Sequence, residues 1–312
     1  MKEGDRMAVT NEEEWFEWRV PEEWSGQTVE KVLKTVWKIP KKLLHELRMN
    51  KDVEVNGEQV RWSLELQEND RLLIRLFQEE DYGVSLSPMD IEVLYEDSHL
   101  IVVNKPAGVD THPNEPGQEG TLANGIAYHY QQRGLKAKVR HIHRLDRETS
   151  GAVIFAKHPL AVHLLDRELE ARSIKRTYLA QVHGKLEKPS GIIDQPIGKD
   201  RHHSKRRRVS PRGQQATTEY EVLRYVASED VSLVKLQLQT GRTHQIRVHM
   251  SYLNHPVVGD ELYGSKTILP RHALHAAIIR FEHPFTGEEV FCKATARGLP
   301  AIFQEEMKKI KP

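Results

Sequence analysis

Asp146 lies between Arg144 and Arg147 in the run His141-Ile142-His143-Arg144-Leu145-Asp146-Arg147-Glu148-Thr149-Ser150-Gly151. A carboxylate among fixed cations stays ionised at neutral pH and can attack an electrophilic carbon or stabilise a developing positive charge. A structural ion pair fits the same residues. Tyr178 opens an apolar strand after Lys175 and Arg176, where its ring can stack on a base or fill the core. Thr240-Gly241-Arg242-Thr243-His244-Gln245-Ile246-Arg247 gathers two guanidiniums and further polar side chains at a helix start. That grouping suits a phosphate or carboxylate site, or a capped surface helix.

The paired histidines His141 and His143, His202 and His203, and His244 and His249 invite a metal. None has the i, i+4 spacing of a zinc protease helix, and cysteine partners are lacking, so no metal is expected. Lys199, Arg201, Lys205, Arg206, Arg207, Arg208 and Arg212 form a basic run, while Glu12, Glu13, Glu14, Glu17, Glu22, Glu23 and Glu30 make the N-terminal part acidic. The formal net charge of +1 averages over both. A basic run is a solvated loop unless a nucleic-acid site adjoins it, in which case it grips phosphates.

A chain of 312 residues with 38% hydrophobic content suits one large domain plus a small one. The single Cys292 fits a reducing compartment, with the cytoplasm as the default. No apolar run approaches the roughly 20 residues of a membrane span, and Met1 to Val20 does not resemble a signal peptide. A soluble, unexported protein with no membrane contact is expected.

These residues need a scaffold. Val29, Val32, Leu33, Val36, Ile39, Leu43, Leu44 and Leu47 recur at helical spacing broken by Pro40, which predicts two short helices. Val53-Glu54-Val55-Asn56-Gly57-Glu58 predicts a hairpin, and Asp70 to Leu76 a returning strand. The small module spans 18–77, 78–90 lacks a period and reads as a linker, and a second domain covers 91–312. Strands are expected at 91–95, 100–104, 152–156, 178–182, 219–226 and 231–238, with helices after Leu122 and over Leu160 to Ala171. Thr243 is expected to cap a helix burying Ile246, Met250 and Leu253. Lys105-Pro106-Ala107-Gly108-Val109 reads as a rigid turn. Hairpins broken by single helices argue for an α+β fold with a largely antiparallel sheet.

From Ile91 onward the chain resembles the RluA-type pseudouridine synthases. Four blocks carry the resemblance in the family's order: Glu96-Asp97 through Asn104-Lys105-Pro106-Ala107-Gly108; His143 to Gly151; Lys175-Arg176-Thr177-Tyr178; and Thr240 to His249. The second and fourth are highly specific. The resemblance implies a large mixed, mostly antiparallel central sheet of the pseudouridine synthase type. It makes Asp146 the nucleophile, Tyr178 the tyrosine that stacks on the target uracil, and Arg247 the cation paired with Asp146. Arg144 enters the RNA helix where the target base leaves it. The basic run falls where the family carries an RNA-gripping loop, and Arg242, His244 and Gln245 are further expected RNA contacts. The N-terminal module resembles an S4 RNA-binding domain.

The implied reaction isomerises uridine without redox change, so no cofactor is expected, and ribosomal RNA (23S) or transfer RNA is the expected partner. S4-bearing members mostly act on ribosomal RNA, which is therefore preferred by analogy. No obligate protein partner is expected, and a monomer is the default. Two other classes fit parts of the sequence: a non-catalytic S4-type RNA-binding protein, and a nucleoside or glycoside hydrolase with paired acids. The first would lack Asp146 or Tyr178. The second needs another acid, and Glu148 is the only one nearby, adjacent to Arg147.

Overall fold

The computed structural model describes residues 14–266 and 269–311; Glu12 and Glu13 of the acidic segment lie outside them. An N-terminal unit holds a four-stranded sheet in the order β1-β4-β2-β3, from β1 (Trp15–Arg19), β2 (Val53–Val55), β3 (Glu58–Gln59) and β4 (Arg71–Arg75). Strand β1 starts before the expected boundary at residue 18 and pairs antiparallel with β4 along its whole length. Thr28 caps α1 (Val29–Lys31), which runs into a wider turn over 32–36, and α2 (Lys41–Met49) follows Pro40. The two helices and the β2-β3 hairpin match the sequence reading.

The remaining strands build one large sheet and one small hairpin. They are β5 (Glu92–Glu96), β6 (Leu100–Lys105), β7 (Arg140–His141), β8 (Ser150–Ala156), β9 (Lys175–His183), β10 (Ser190–Asp194), β11 (Ile197–Lys199), β12 (Arg207–Val209), β13 (Thr217–Val226), β14 (Val231–Leu238), β15 (Leu274–Glu282) and β16 (Glu289–Lys293). The large sheet runs β10-β13-β14-β9-β15-β8-β6-β5, with β16 on β15 and β7 on β8. Only the β15-β8 pairing is parallel, so the fold is α+β with a mostly antiparallel sheet. Strands β11 and β12 form a separate two-stranded hairpin, bridged from Ile197 to Gln214, that carries most of the basic run.

Side-chain alternation along the strands divides the core by face. Tyr178, Ala180 and Leu236 pack with Leu122 and Ile126 of α3 (Leu122–Gln132), with Leu145, and with Ile246 of α5 (Gln245–Tyr252). Leu179 and Leu233 point the other way, onto Phe303 of α6 (Ala301–Lys309). The N-terminal unit is joined to the large one by a shared core that includes Leu160 and Leu165 of α4 (Pro159–Glu170) and Phe281 and Phe285. Segment 78–90 is no free tether: Glu80 pairs with Arg140 at 2.5 Å, and Tyr82 and Val84 pack on the core.

One row of the sheet sets the site. Gly151, Ala276, Tyr178 and Leu236 are successive register partners across β8, β15, β9 and β14. Gly151 has φ +122°, and a Cβ there would stand 2.2 Å from the Ala276 carbonyl oxygen. Only glycine permits that approach.

Candidate active site

The loop carrying Asp146 leaves β7 and enters β8, and it is clamped from the turn that follows β6. Lys105 is fully buried, and its ammonium donates to the carbonyls of Pro106, Val109 and Arg147 at 2.6–2.9 Å. The Thr111 hydroxyl donates to the Leu145 carbonyl and accepts from the Leu145 amide. Gly108 and Arg147 exchange a further pair of bonds. The turn expected at Lys105 to Val109 thus holds the backbone on both sides of Asp146.

Arg247, in the first turn of α5, donates through Nη1 to Asp146 Oδ2 at 2.9 Å. Its other edge is gripped by a second carboxylate, with Nε to Asp260 Oδ2 at 2.6 Å and Nη2 to Asp260 Oδ1 at 2.9 Å. A planar guanidinium held in that fork has one remaining direction, toward Asp146. Burial pushes the Asp146 carboxyl upward, but His244 and Arg247 outweigh it and hold it below the usual carboxylate range. Asp146 is therefore anionic, and a quarter of its side chain (24%) remains exposed. Its Oδ1 accepts no hydrogen bond among the described residues.

Asp146 opens on a cleft of about 590 Å³ whose wall includes Arg144, Tyr178, Arg242, His244 and Arg247. Tyr178 lies on the floor, and burial raises its phenol above the ordinary value, so it is neutral. Its ring face can meet a planar ligand while the anion waits beside it. Arg144 is exposed on the same wall.

His244 takes a left-handed conformation (φ 59°, ψ 20°) at the start of α5. It is the residue before the first helical turn, so Thr243 is not the cap. No side chain caps the helix; Gln245 instead braces the loop before it, its Oε1 accepting from the Thr240 hydroxyl and the Arg242 amide. Gln245 Nε2 donates to Thr217 O and Thr218 Oγ1, and the side chain is buried. The expected RNA contact by Gln245 is corrected accordingly, because its polar atoms are committed inside the protein.

The Tyr263 hydroxyl accepts from the Arg207 amide at 2.9 Å and lies 2.8 Å from His244 Nδ1. The phenolic proton needs an acceptor, which assigns Nδ1 that role and puts the imidazole proton on Nε2, 3.9 Å from Asp146 Oδ2. Arg206 and Arg247 both lie over the Tyr263 ring, at 5.6 and 5.0 Å. The basic hairpin is thereby docked beside the cleft, with Arg206 and Arg207 half-buried and Lys199, Arg201, Lys205, Arg208 and Arg212 exposed. Arg242 is exposed, its Nε donating to the Gln215 carbonyl. Asp260 and Tyr263 were not singled out in the sequence; the one available signal was that Arg247, once buried, needs more than one carboxylate.

Among known proteins, the RNA pseudouridylate synthase profile matches residues 99–252, which spans the clamp, Asp146, Tyr178 and Arg247. The profile of the RluD ribosomal pseudouridine synthase N-terminal domain matches residues 16–72. The Bacillus subtilis protein named uncharacterized RNA pseudouridine synthase YhcT is 48% identical over 88% of this chain and 91% of its own length. The chain belongs to the RNA pseudouridylate synthase family. This synthase is an isomerase that acts on RNA, and it is 39% identical to ribosomal large subunit pseudouridine synthase D of Vibrio parahaemolyticus, over 79% of this chain and 80% of that one. The solved structure of human RNA pseudouridylate synthase domain containing 1 covers 70% of the synthase and 89% of its own chain, with TM-score 0.56 and 29% identity. Among the described residues, no helix is long and apolar enough to cross a membrane.

Proposed function

We propose that Asp146 is the nucleophile with which this synthase converts a uridine of large-subunit (23S) ribosomal RNA to pseudouridine. The carrying observation is the Asp146–Arg247–Asp260 chain, which leaves one anionic oxygen of Asp146 without a partner among the described residues, at a cleft floored by Tyr178. The reaction breaks N1–C1′ and joins C5 to C1′. Asp146 acts by attack at C6, by attack at C1′, or by assisting a glycal route, and each needs the ionised carboxylate that Arg247 favours. Tyr178 stacks on the uracil after it leaves the helix, and Arg144 fills the space it vacates.

The name of the Vibrio relative and the N-terminal match support ribosomal RNA over transfer RNA. The N-terminal unit, the segment 78–90 and the catalytic unit 91–312 divide the work between RNA binding and chemistry. The basic hairpin and Arg242 hold phosphates, and His244 faces the reacting base. The enzyme works in the cytoplasm, as a monomer and without a cofactor. The decisive experiment is Asp146→Asn assayed on ribosomal RNA: pseudouridine formation disappears while RNA binding stays, and comparable activity in the variant overturns the assignment.

A further inference from the structure

Two arginines are buried in the wall of the Asp146 cleft, and their surroundings differ completely. Arg247 is ion-paired to two aspartates. Arg176, at the start of β9 and only 8% exposed, has an Nε buried without an acceptor, and no carboxylate among the described residues lies within ion-pair distance of it. His143 lines the same cleft and repeats the pattern. Its Nε2 accepts from the Ile154 amide at 3.3 Å, which places the ring proton on Nδ1, and that N–H is buried without a partner among the described residues. Gly241 passes over the guanidinium; a Cβ there would stand 3.2 Å from Nη1, so the absent side chain keeps this edge uncrowded.

A buried cation without counter-charge is strongly disfavoured, and an unpaired buried donor adds to the penalty. A ligand that supplies negative charge removes both. The pair offers only donors, so the ligand must be an acceptor, and the sole anionic group of RNA is its phosphodiester. We propose that Arg176, with the Nδ1–H of His143, seats one phosphodiester next to the target uridine, deep in the cleft and apart from the basic hairpin. This rests on reading the cleft around Asp146 as the RNA site. A phosphate fixed beside the β9 strand that carries Tyr178 gives the nucleotide a pivot about which the base swings onto that ring.

The test uses RNA oligonucleotides with a single methylphosphonate, which is uncharged, at each linkage flanking the target uridine. Binding and single-turnover rate are measured for the full-length enzyme, for Arg176→Met and for Arg176→Lys. One neutral linkage weakens wild-type binding about tenfold, Arg176→Met weakens binding of the all-phosphate RNA to a similar extent, and the two together cost no more than either alone. Arg176→Lys recovers part of the loss, and the salt slope of Arg176→Met falls by about 0.7. Additive losses, or no flanking linkage sensitive to charge removal, overturn the proposal. Should Arg176→Met fail to fold, the wild-type scan and Arg176→Lys decide alone, with the neutral linkage weakening binding by the Arg176→Lys variant less than binding by the wild type. The scan repeated on Asp146→Asn keeps the outcome independent of the nucleophile assignment: a phosphate seat persists whether or not that variant is active.

Discussion

Two buried polar clusters in this enzyme invite comparison: the Asp146 cleft and the histidine junction where the N-terminal unit meets α4. At the junction, His158 Nδ1 accepts from the Ala161 amide, so its Nε2–H donates to His99 Nδ1 at 2.9 Å. His283 Nδ1 faces two amides, and its Nε2 lies 2.8 Å from Asp97, whose other oxygen accepts from the His99 and Leu100 amides. Phe285 stacks on His99 at 3.9 Å, and Phe16 and Phe77 close the sides. Most of these groups serve one another, with His283 Nε2 close to Asp97 but without a hydrogen bond to it. In the cleft, Asp146 keeps an oxygen and Arg176 a guanidinium in reserve. Burial and polarity are common to both; what marks the functional one is that its unsatisfied groups are a full anion, Asp146, and a full cation, Arg176, both lining an open cleft.

The sharpest way to break the comparison is Asp146→Asn, for which a rate loss of at least about 10³-fold is expected with little change in melting temperature. Asp260→Asn should act on both properties, since it leaves Arg247 half-paired in a buried place: a destabilisation of about 3 kcal/mol, with a lower rate in the folded fraction, read by denaturant melts and single-turnover assays. His158→Ala at the junction should cost about 2 kcal/mol, through the lost cap and histidine bond, while the rate per folded molecule at 25 °C stays the same. An equal rate loss there would erase the distinction.

Acid sharpens it further. Burial lowers His99 to about 4, against the ordinary 6.5, with Asp97 opposing and His283 and Lys157 reinforcing the shift. The unfolded chain therefore takes up a proton that the folded chain refuses, so stability is full above pH 6.5 and is lost as pH falls toward 4, by on the order of 3 kcal/mol. Asp146, held below its ordinary value, stays ionised through that window. Melting temperature should fall between pH 6.5 and 4.5 before the activity of the folded fraction does. The smallest effect is expected from neutralising Arg206, Arg207 and Arg208 together: weaker RNA binding and a shallower salt dependence, measured by titration at several ionic strengths. An unchanged slope would remove the hairpin from the RNA surface.

Asp146, Arg247 and Tyr178 were legible because each stands in a contiguous block, and local spacing carries such blocks. Asp260 and Tyr263 were not, since each owes its place to partners distant in the chain. Strand β15 was also missed. It lies in the middle of the sheet, and Leu274-His275-Ala276-Ala277 is buried without the alternation that reveals a half-exposed strand. Strand β1 was hidden by its surroundings, because Glu14 and Glu17 made an acidic stretch of what is a paired strand. Gln245 shows the opposite error: a polar residue in a polar block, read as a ligand contact, which is a brace.

Gly151 acts as a datum. The backbone of β15 occupies the space any side chain at 151 would need, so the entry of β8 is pinned, and Asp146 stands five residues upstream of that pin. An insertion or deletion in this interval would swing the carboxylate off the line to Arg247 while leaving every residue type in place. The count between aspartate and glycine is thus dictated by the sheet, and a chain of this fold can vary the RNA it meets without any freedom to vary that interval.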